Sequence, residues 1–219
     1  METIEYRTID KTGWGQGPWQ DEPDKKQWQD NDTGLACLIV RGPVGGLCGY
    51  VGVSEGHPWF GRDYSEALTE GGDDWGSDSP EGRTEVHGGL TFSGRCADHS
   101  QEQWEKFIAA KEANEKQAAT YPEGDSAEWL RKWAGCFDNY EAWVARSHQT
   151  VICHIPALGD PDNVWWFGFD CAHAGDLCPK MTRYGRHPDD DRYRDIGYVE
   201  AECAKLAMQL ASVSSSSRS

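Results

Sequence analysis

Asp170, His173 and Asp176 stand in the stretch VWWFGFDCAHAGDLCP, residues 164–179, directly after two tryptophans and two phenylalanines. A carboxylate, an imidazole and a second carboxylate at steps of three are groups that can exchange protons with a substrate or ligate a metal ion. His87, in EVHGGLTFSG (85–94), is the second imidazole that could join them, and His57 in SEGHPWFGRDY (54–64) is a third. The expected catalytic groups are therefore His87, Asp170 and His173. The candidate metal ligands are His87, Asp170, His173 and Asp176. A divalent metal is the less favoured reading, because D-x-x-H-x-x-D matches no familiar ligand spacing. The bland alternative is a loop histidine that donates to a backbone carbonyl.

These residues need strands to position them. Ile4, Tyr6 and Thr8 alternate with Glu5 and Arg7 and predict an edge strand over 2–9. Residues 10–34 read as a loop rich in Gly, Pro, Asp and Asn, with Trp14, Trp19 and Trp28 along it. LACLIVRG (35–42) and LCGYVGV (47–53) predict a hairpin, 85–94 a further strand, and TVICHIP (150–156) with NVWWFGFD (163–170) a second hairpin. Residues 97–148 are rich in Ala, Glu, Lys and Gln and predict a helical insertion. Ile196, Val199, Cys203, Leu206 and Leu210 recur at steps of three and four and predict an amphipathic helix. The fold class is α+β: an antiparallel sheet of about five strands, a C-terminal helix on one face and a helical insertion, all in one domain over 1–212, with a disordered tail at 213–219.

Side chains alternate across a strand, so each strand divides into two faces. Leu47, Val51 and Val53 share one face of their strand, as do Trp165, Phe167 and Phe169 of theirs. The opposite faces carry Tyr50 with Gly52, His87 with Gly89, Thr91 and Ser93, and Trp166 with Gly168 and Asp170. Glycine within a strand marks close approach of a ligand or of another backbone. The expectation is a small-molecule pocket on this mixed face, walled by Tyr50 and Trp166 and supplied with hydrogen bonds by His87, Thr91, Ser93, Asp170, His173 and Asp176. His57 and Arg62 would reach it from the loop 54–64. The competing expectation is a covered face on which His87 and Asp170 bond to each other.

The chain has 219 residues, a formal net charge of −16, eleven tryptophans and eight cysteines. The aromatic content excludes a disordered chain. The charge argues against a nucleic-acid backbone or an anionic membrane as partner, since both call for clustered Lys and Arg. Lys180, Arg183, Arg186 and His187 form a local basic spot. No apolar run is long enough for a membrane span, and METIEYRTID does not read as a signal peptide, so the expected location is the cytosol with reduced thiols. The cysteines include no C-x-x-C pair, and no nucleotide-loop or serine-hydrolase motif occurs in a supporting context.

EPDKKQW (22–28), LCGYVGVSEGHPWFGRDY (47–64), VHGGLTFSG (86–94), ICHIP (152–156), VWWFGFDCAHAGDLCP (164–179) and YRDIGYVEAECAKLAMQL (193–210) together resemble an uncharacterised protein family common in phage and prophage genomes. The resemblance implies a small accessory protein of the infected host's cytosol, in the setting of counter-defence. In that setting the leading expectation is capture of a small nucleotide-type molecule, an immune second messenger among the candidates. Aromatic rings would stack its base and Arg41, Arg62, Arg183 or Arg186 would meet its phosphates. The alternatives are a metal- or His/Asp-dependent hydrolase of a phosphoester or glycosidic bond at the same pocket, and an acidic decoy for a host protein. A homo-oligomer is compatible with each.

Overall fold

A computed structural model describes residues 2–72, 74, 76–95, 164–181 and 191–216, together with scattered helical positions between 105 and 116. The chain separates into two compact units, Met1–Cys96 with Gln149–Ser219, and Ala97–His148. In the second unit the described positions 105, 108–109, 111–113 and 116 are helical. The first unit is α+β and is built on a six-stranded antiparallel sheet. The strands are β1 (Ile4–Tyr6), β2 (Lys25–Gln29), β3 (Ala36–Arg41), β4 (Leu47–Ser54), β5 (Phe92–Arg95) and β6 (Val164–Asp170), in the spatial order β1-β2-β3-β4-β6-β5. One long helix, α1 (Ile196–Ser216), packs on β3 and β4.

The hairpin β3–β4 turns through 42–46, with Gly45 at φ 90° and the Gly42 N–H donating to Gly46 O at 2.8 Å. A side chain would be strained at that φ, so glycine sets this turn. From β4 the register runs Tyr50 opposite Gly168 and Gly52 opposite Trp166 on β6. The face carrying Cys37, Ile39, Leu47, Val51, Val53, Phe167 and Phe169 is buried against Val199, Cys203, Leu206, Ala207 and Leu210 of α1. That is the apolar stripe the helical period predicts, and its burial is the main favourable term holding the helix down. Gly49 makes the approach close: a Cβ there would overlap the Phe169 ring and lie 2.8 Å from Cys203 Sγ. Asp195 caps the helix by accepting from the Tyr198 N–H at 2.8 Å, and Glu22 accepts from the Ile196 N–H at 2.9 Å.

Three expectations are corrected. Strand β2 lies inside the stretch read as loop. Its KKQWQ sequence lacks apolar alternation because Lys25 and Gln27 are the inward residues, both fully buried, with Lys25 Nζ 5.6 Å from the Tyr6 ring centre. The strand expected over 85–94 begins only at Phe92, because Gly88 and Gly89 take φ of 68° and 83° and turn the chain. The six strands of the sheet fit the expectation of about five. Helix α1 runs to Ser216, past the boundary at 213 expected for a tail. The expected strand 150–156 and the turn following it lie outside the described residues. Among the described residues no helix is long and apolar enough to cross a membrane.

Candidate functional site

The Asp170–Asp176 segment leaves β6 as a tight turn rather than as a helix. The Ala172 N–H donates to Asp170 Oδ1 at 3.0 Å, the Asp176 N–H to His173 O at 3.0 Å, and the His173 N–H to Asp176 Oδ2 at 3.0 Å. Gly175 carries the turn at φ 97°. Backbone bonds then join the turn to the segment that leads into α1: Leu177 N–H to Arg192 O and Arg192 N–H to Gly175 O, both 2.9 Å. These bonds bring Arg194 and the first turns of α1 alongside Asp176.

His87 enters from the Gly88–Gly89 turn and is clamped by α1. Tyr198 and Glu202 are four residues apart and share a helix face. The Tyr198 hydroxyl lies 3.0 Å from His87 Nδ1, and Glu202 Oε2 accepts from the His87 backbone N–H at 2.8 Å. The other ring nitrogen, His87 Nε2, is 2.8 Å from Asp176 Oδ2. A carboxylate only accepts, so the neutral ring carries its proton on Nε2 and Nδ1 accepts from the phenol. Arg194 Nε donates to the second oxygen, Asp176 Oδ1, at 2.9 Å, and the Arg194 guanidinium stacks 4.9 Å from the Tyr198 ring centre. Burial by itself would raise the Asp176 carboxyl. The bonds from His87, Arg194 and the His173 N–H outweigh burial and hold it below the usual carboxylate range. Burial and the nearby Glu202 charge push the Tyr198 phenol up.

His173 completes the cluster. Its ring meets the His87 ring edge-on at 5.7 Å between centres, and a Cβ at Gly88 would overlap it. Its side chain is 35% exposed, yet its Nδ1 is enclosed and makes no hydrogen bond among the described residues, lying 3.8 Å from both Asp170 Oδ1 and Asp176 Oδ2. Among the described residues, His87, His173 and Asp176 form the single group whose ligand atoms lie close enough together, all within 4.8 Å, to hold one metal ion. This donor set can exchange protons or ligate a borderline cation.

The structure therefore brings together four of the expected residues, His87, Asp170, His173 and Asp176, and His87 bonds to Asp176 rather than to Asp170. It does not form the expected hollow. Tyr50 and Trp166 are core residues packed with Leu38 and Val40, and Trp166 is fully buried. Gly168 is filled by the Tyr50 ring, Gly52 by Val164 and Trp166, and Gly89 faces Glu81 in a separate turn. His57 is fixed between the Leu210 carbonyl, 2.9 Å from Nε2, and the Trp59 N–H, which donates to Nδ1 at 3.0 Å. Burial lowers its pKa, so it ties the loop 54–60 to α1 as a neutral ring. Arg62 pairs with Glu66 at 2.7 Å, Ser93 Oγ accepts from the Tyr64 N–H at 2.9 Å, and the exposed Thr91 extends the ladder by donating its N–H to Gly168 O. None of these bonds reaches the cluster. Arg41 is buried in an ionic network, while Arg183, Arg186 and His187 lie outside the described residues.

Tyr198, Glu202 and Arg194 are the members that motif reading passed over. The available signal was the pair Tyr198/Glu202 at a four-residue step beside the apolar stripe of α1. The five described cysteines, Cys37, Cys48, Cys171, Cys178 and Cys203, are free thiols. Burial pushes Cys37 up to about 12 and Cys48 up to about 11, which makes them inert at neutral pH. Comparison of the chain with protein-family models, with curated proteins and with solved structures finds no match.

Proposed function

We propose that the protein acts on a small nucleotide-type molecule at the His87/His173/Asp176 cluster, binding it there and hydrolysing a phosphoester or glycosidic bond. One observation carries this reading. The chain sets a His–Asp dyad, a second imidazole and a phenol in contact at the partly exposed mouth of a turn, and one imidazole nitrogen of that set has no partner among the described residues. Groups arranged only for stability are normally bonded to completion. In the reaction, water adds across the scissile bond. The cluster accepts the water's proton as the new oxygen bond forms, and the leaving oxygen or nitrogen takes a proton as it departs. The resemblance to phage proteins adds the setting: host cytosol during infection, with an immune second messenger as the substrate class.

The test is incubation of the purified chain with a panel of cyclic and linear nucleotides, followed by heat release and mass spectrometry. The expected result is conversion of one nucleotide class to fragments, lost in His173→Ala. Recovery of every nucleotide intact contradicts hydrolysis, and retention of one intact until heating replaces it with capture.

A further inference from the structure

We infer that His87 Nε2, His173 Nδ1 and one oxygen of Asp176 form a binding site for a divalent transition cation, zinc first among them. The inference rests on reading this cluster as the reactive centre. It adds that a bound cation would lower the pKa of the attacking water, whose proton would pass to Asp170 at the edge of the site or to solvent, since the imidazole lone pairs are then taken up as ligands.

Distances separate the possible occupants of the gap. His173 Nδ1 lies 3.8 Å from Asp176 Oδ2, which is too long for a hydrogen bond. One water bridging the two atoms through bonds of about 2.8 Å holds them about 4.5 Å apart, so the gap is too short for that. Two ligands about 2.0–2.1 Å from a tetrahedral zinc lie about 3.4 Å apart, close to what is seen. Asp170 Oδ1, also 3.8 Å from His173 Nδ1, borders the same point and can hold a water or become a fourth ligand. Three protein ligands with a further position for water is the arrangement of catalytic zinc sites, and two imidazoles with a carboxylate suit zinc ahead of magnesium or calcium.

The atoms that would not touch the cation are already held. His87 Nδ1 faces the Tyr198 hydroxyl at 3.0 Å, and Asp176 Oδ1 takes the Arg194 Nε–H at 2.9 Å. Gly88 seats the His173 ring. Such outer partners orient metal ligands in known sites. The His87 Nε2–Asp176 Oδ2 bond of 2.8 Å has to open on loading. The ring can release it without changing charge: its proton moves from Nε2 to Nδ1, where it donates to the phenol oxygen, and the Nε2 lone pair turns to the cation. Arg194 offsets part of the Asp176 charge, which tunes affinity downward and favours a cation that imidazole binds well.

Titrating ZnCl2 into the metal-stripped full chain tests this by calorimetry, with CoCl2 absorption spectra in parallel. The expected result is one zinc per chain, a cobalt spectrum without a thiolate charge-transfer band, affinity reduced at least about 100-fold in His173→Ala, and about 10-fold in Tyr198→Phe. His173→Ala lies at a partly exposed position, so folding is retained and is checked by circular dichroism. No zinc uptake, a thiolate band, or unchanged affinity in His173→Ala would overturn the site. Uptake is read without substrate, so the two readings fail separately. Nucleotide hydrolysis that persists in EDTA removes the metal and leaves the hydrolase, whereas zinc uptake with no nucleotide cleaved does the reverse.

Discussion

Two polar clusters lie in the same unit, and they are completed to different degrees. In the first, Arg41 spends every guanidinium hydrogen: Nε on Asp24 Oδ1, Nη1 on Gly45 O and the Tyr193 hydroxyl, Nη2 on Glu22 Oε2 and Pro23 O, all at 2.8–3.1 Å. Lys11 Nζ adds a pair to Asp24 at 2.8 Å, the N–H groups of Thr8 and Ile9 cap Asp24 Oδ2, and Tyr193 donates to Glu22. Glu22 also caps α1. In the second cluster His87, Asp176 and Arg194 are bonded, but His173 Nδ1 has no partner among the described residues, and its ring is one-third exposed. Burial drives the first arrangement, because a charge taken from water needs every partner it can have. The second leaves an enclosed ligand atom uncommitted on a ring that is one-third exposed, where a ligand can complete it. By residue type Arg41 was a phosphate candidate, and its five filled guanidinium bonds mark it instead as scaffold.

Breaking the saturated cluster should have the largest effect. Arg41→Met strips Glu22, Asp24 and Tyr193 of their shared partner and should destabilise the fold by about 3–5 kcal/mol in urea unfolding, the range for removing one member of a buried ion pair. Gly49→Ala comes next, at about 1–3 kcal/mol, because the new methyl collides with Phe169 and Cys203 under α1. Gly88→Ala should cost about 1–2 kcal/mol for its φ of 68° and also weaken zinc binding by displacing the His173 ring, a coupling a purely structural turn lacks. Acid should act on the first cluster before it disrupts the sheet. Burial raises the Asp24 carboxyl, but the Lys11 pair and the Thr8 and Ile9 N–H groups hold it below the usual range. A lowered folded pKa contributes stability above the ordinary carboxylate value and loses it as pH falls through the folded value. Urea midpoints should therefore drop below about pH 4 in the native chain, with a shallower drop in Asp24→Asn. The smallest stability effect belongs to His173→Ala, within about 0.5 kcal/mol, since the ring is partly exposed and its Nδ1 makes no hydrogen bond among the described residues.

The elements that sequence reveals are those whose period matches their burial. Val199, Cys203, Leu206 and Leu210 marked α1, and the alternation in 47–53 and 164–170 marked β4 and β6 with the right face inward. Strand β2 was hidden because its buried face holds Lys25 and Gln27, and no hydropathy pattern flags a buried lysine. The glycines misled for a related reason. Gly52 and Gly168 do mark close approach, but of neighbouring rings rather than of a ligand. Asp170, His173 and Asp176 were legible from spacing, and His87 from its type. The arrival of Tyr198, Glu202 and Arg194 beside them depends on how the turn at Gly175 docks on residue 192, a tertiary event with no local signature.

Anomalous scattering at the zinc edge from crystals of the full chain soaked in ZnCl2 compares the two clusters in one measurement. The account predicts a peak between His87, His173 and Asp176, within about 2.3 Å of a ligand atom of each, and none in the Arg41 network. No peak at the cluster, or zinc seated instead against Glu22 and Asp24, would contradict the assignment of site and scaffold.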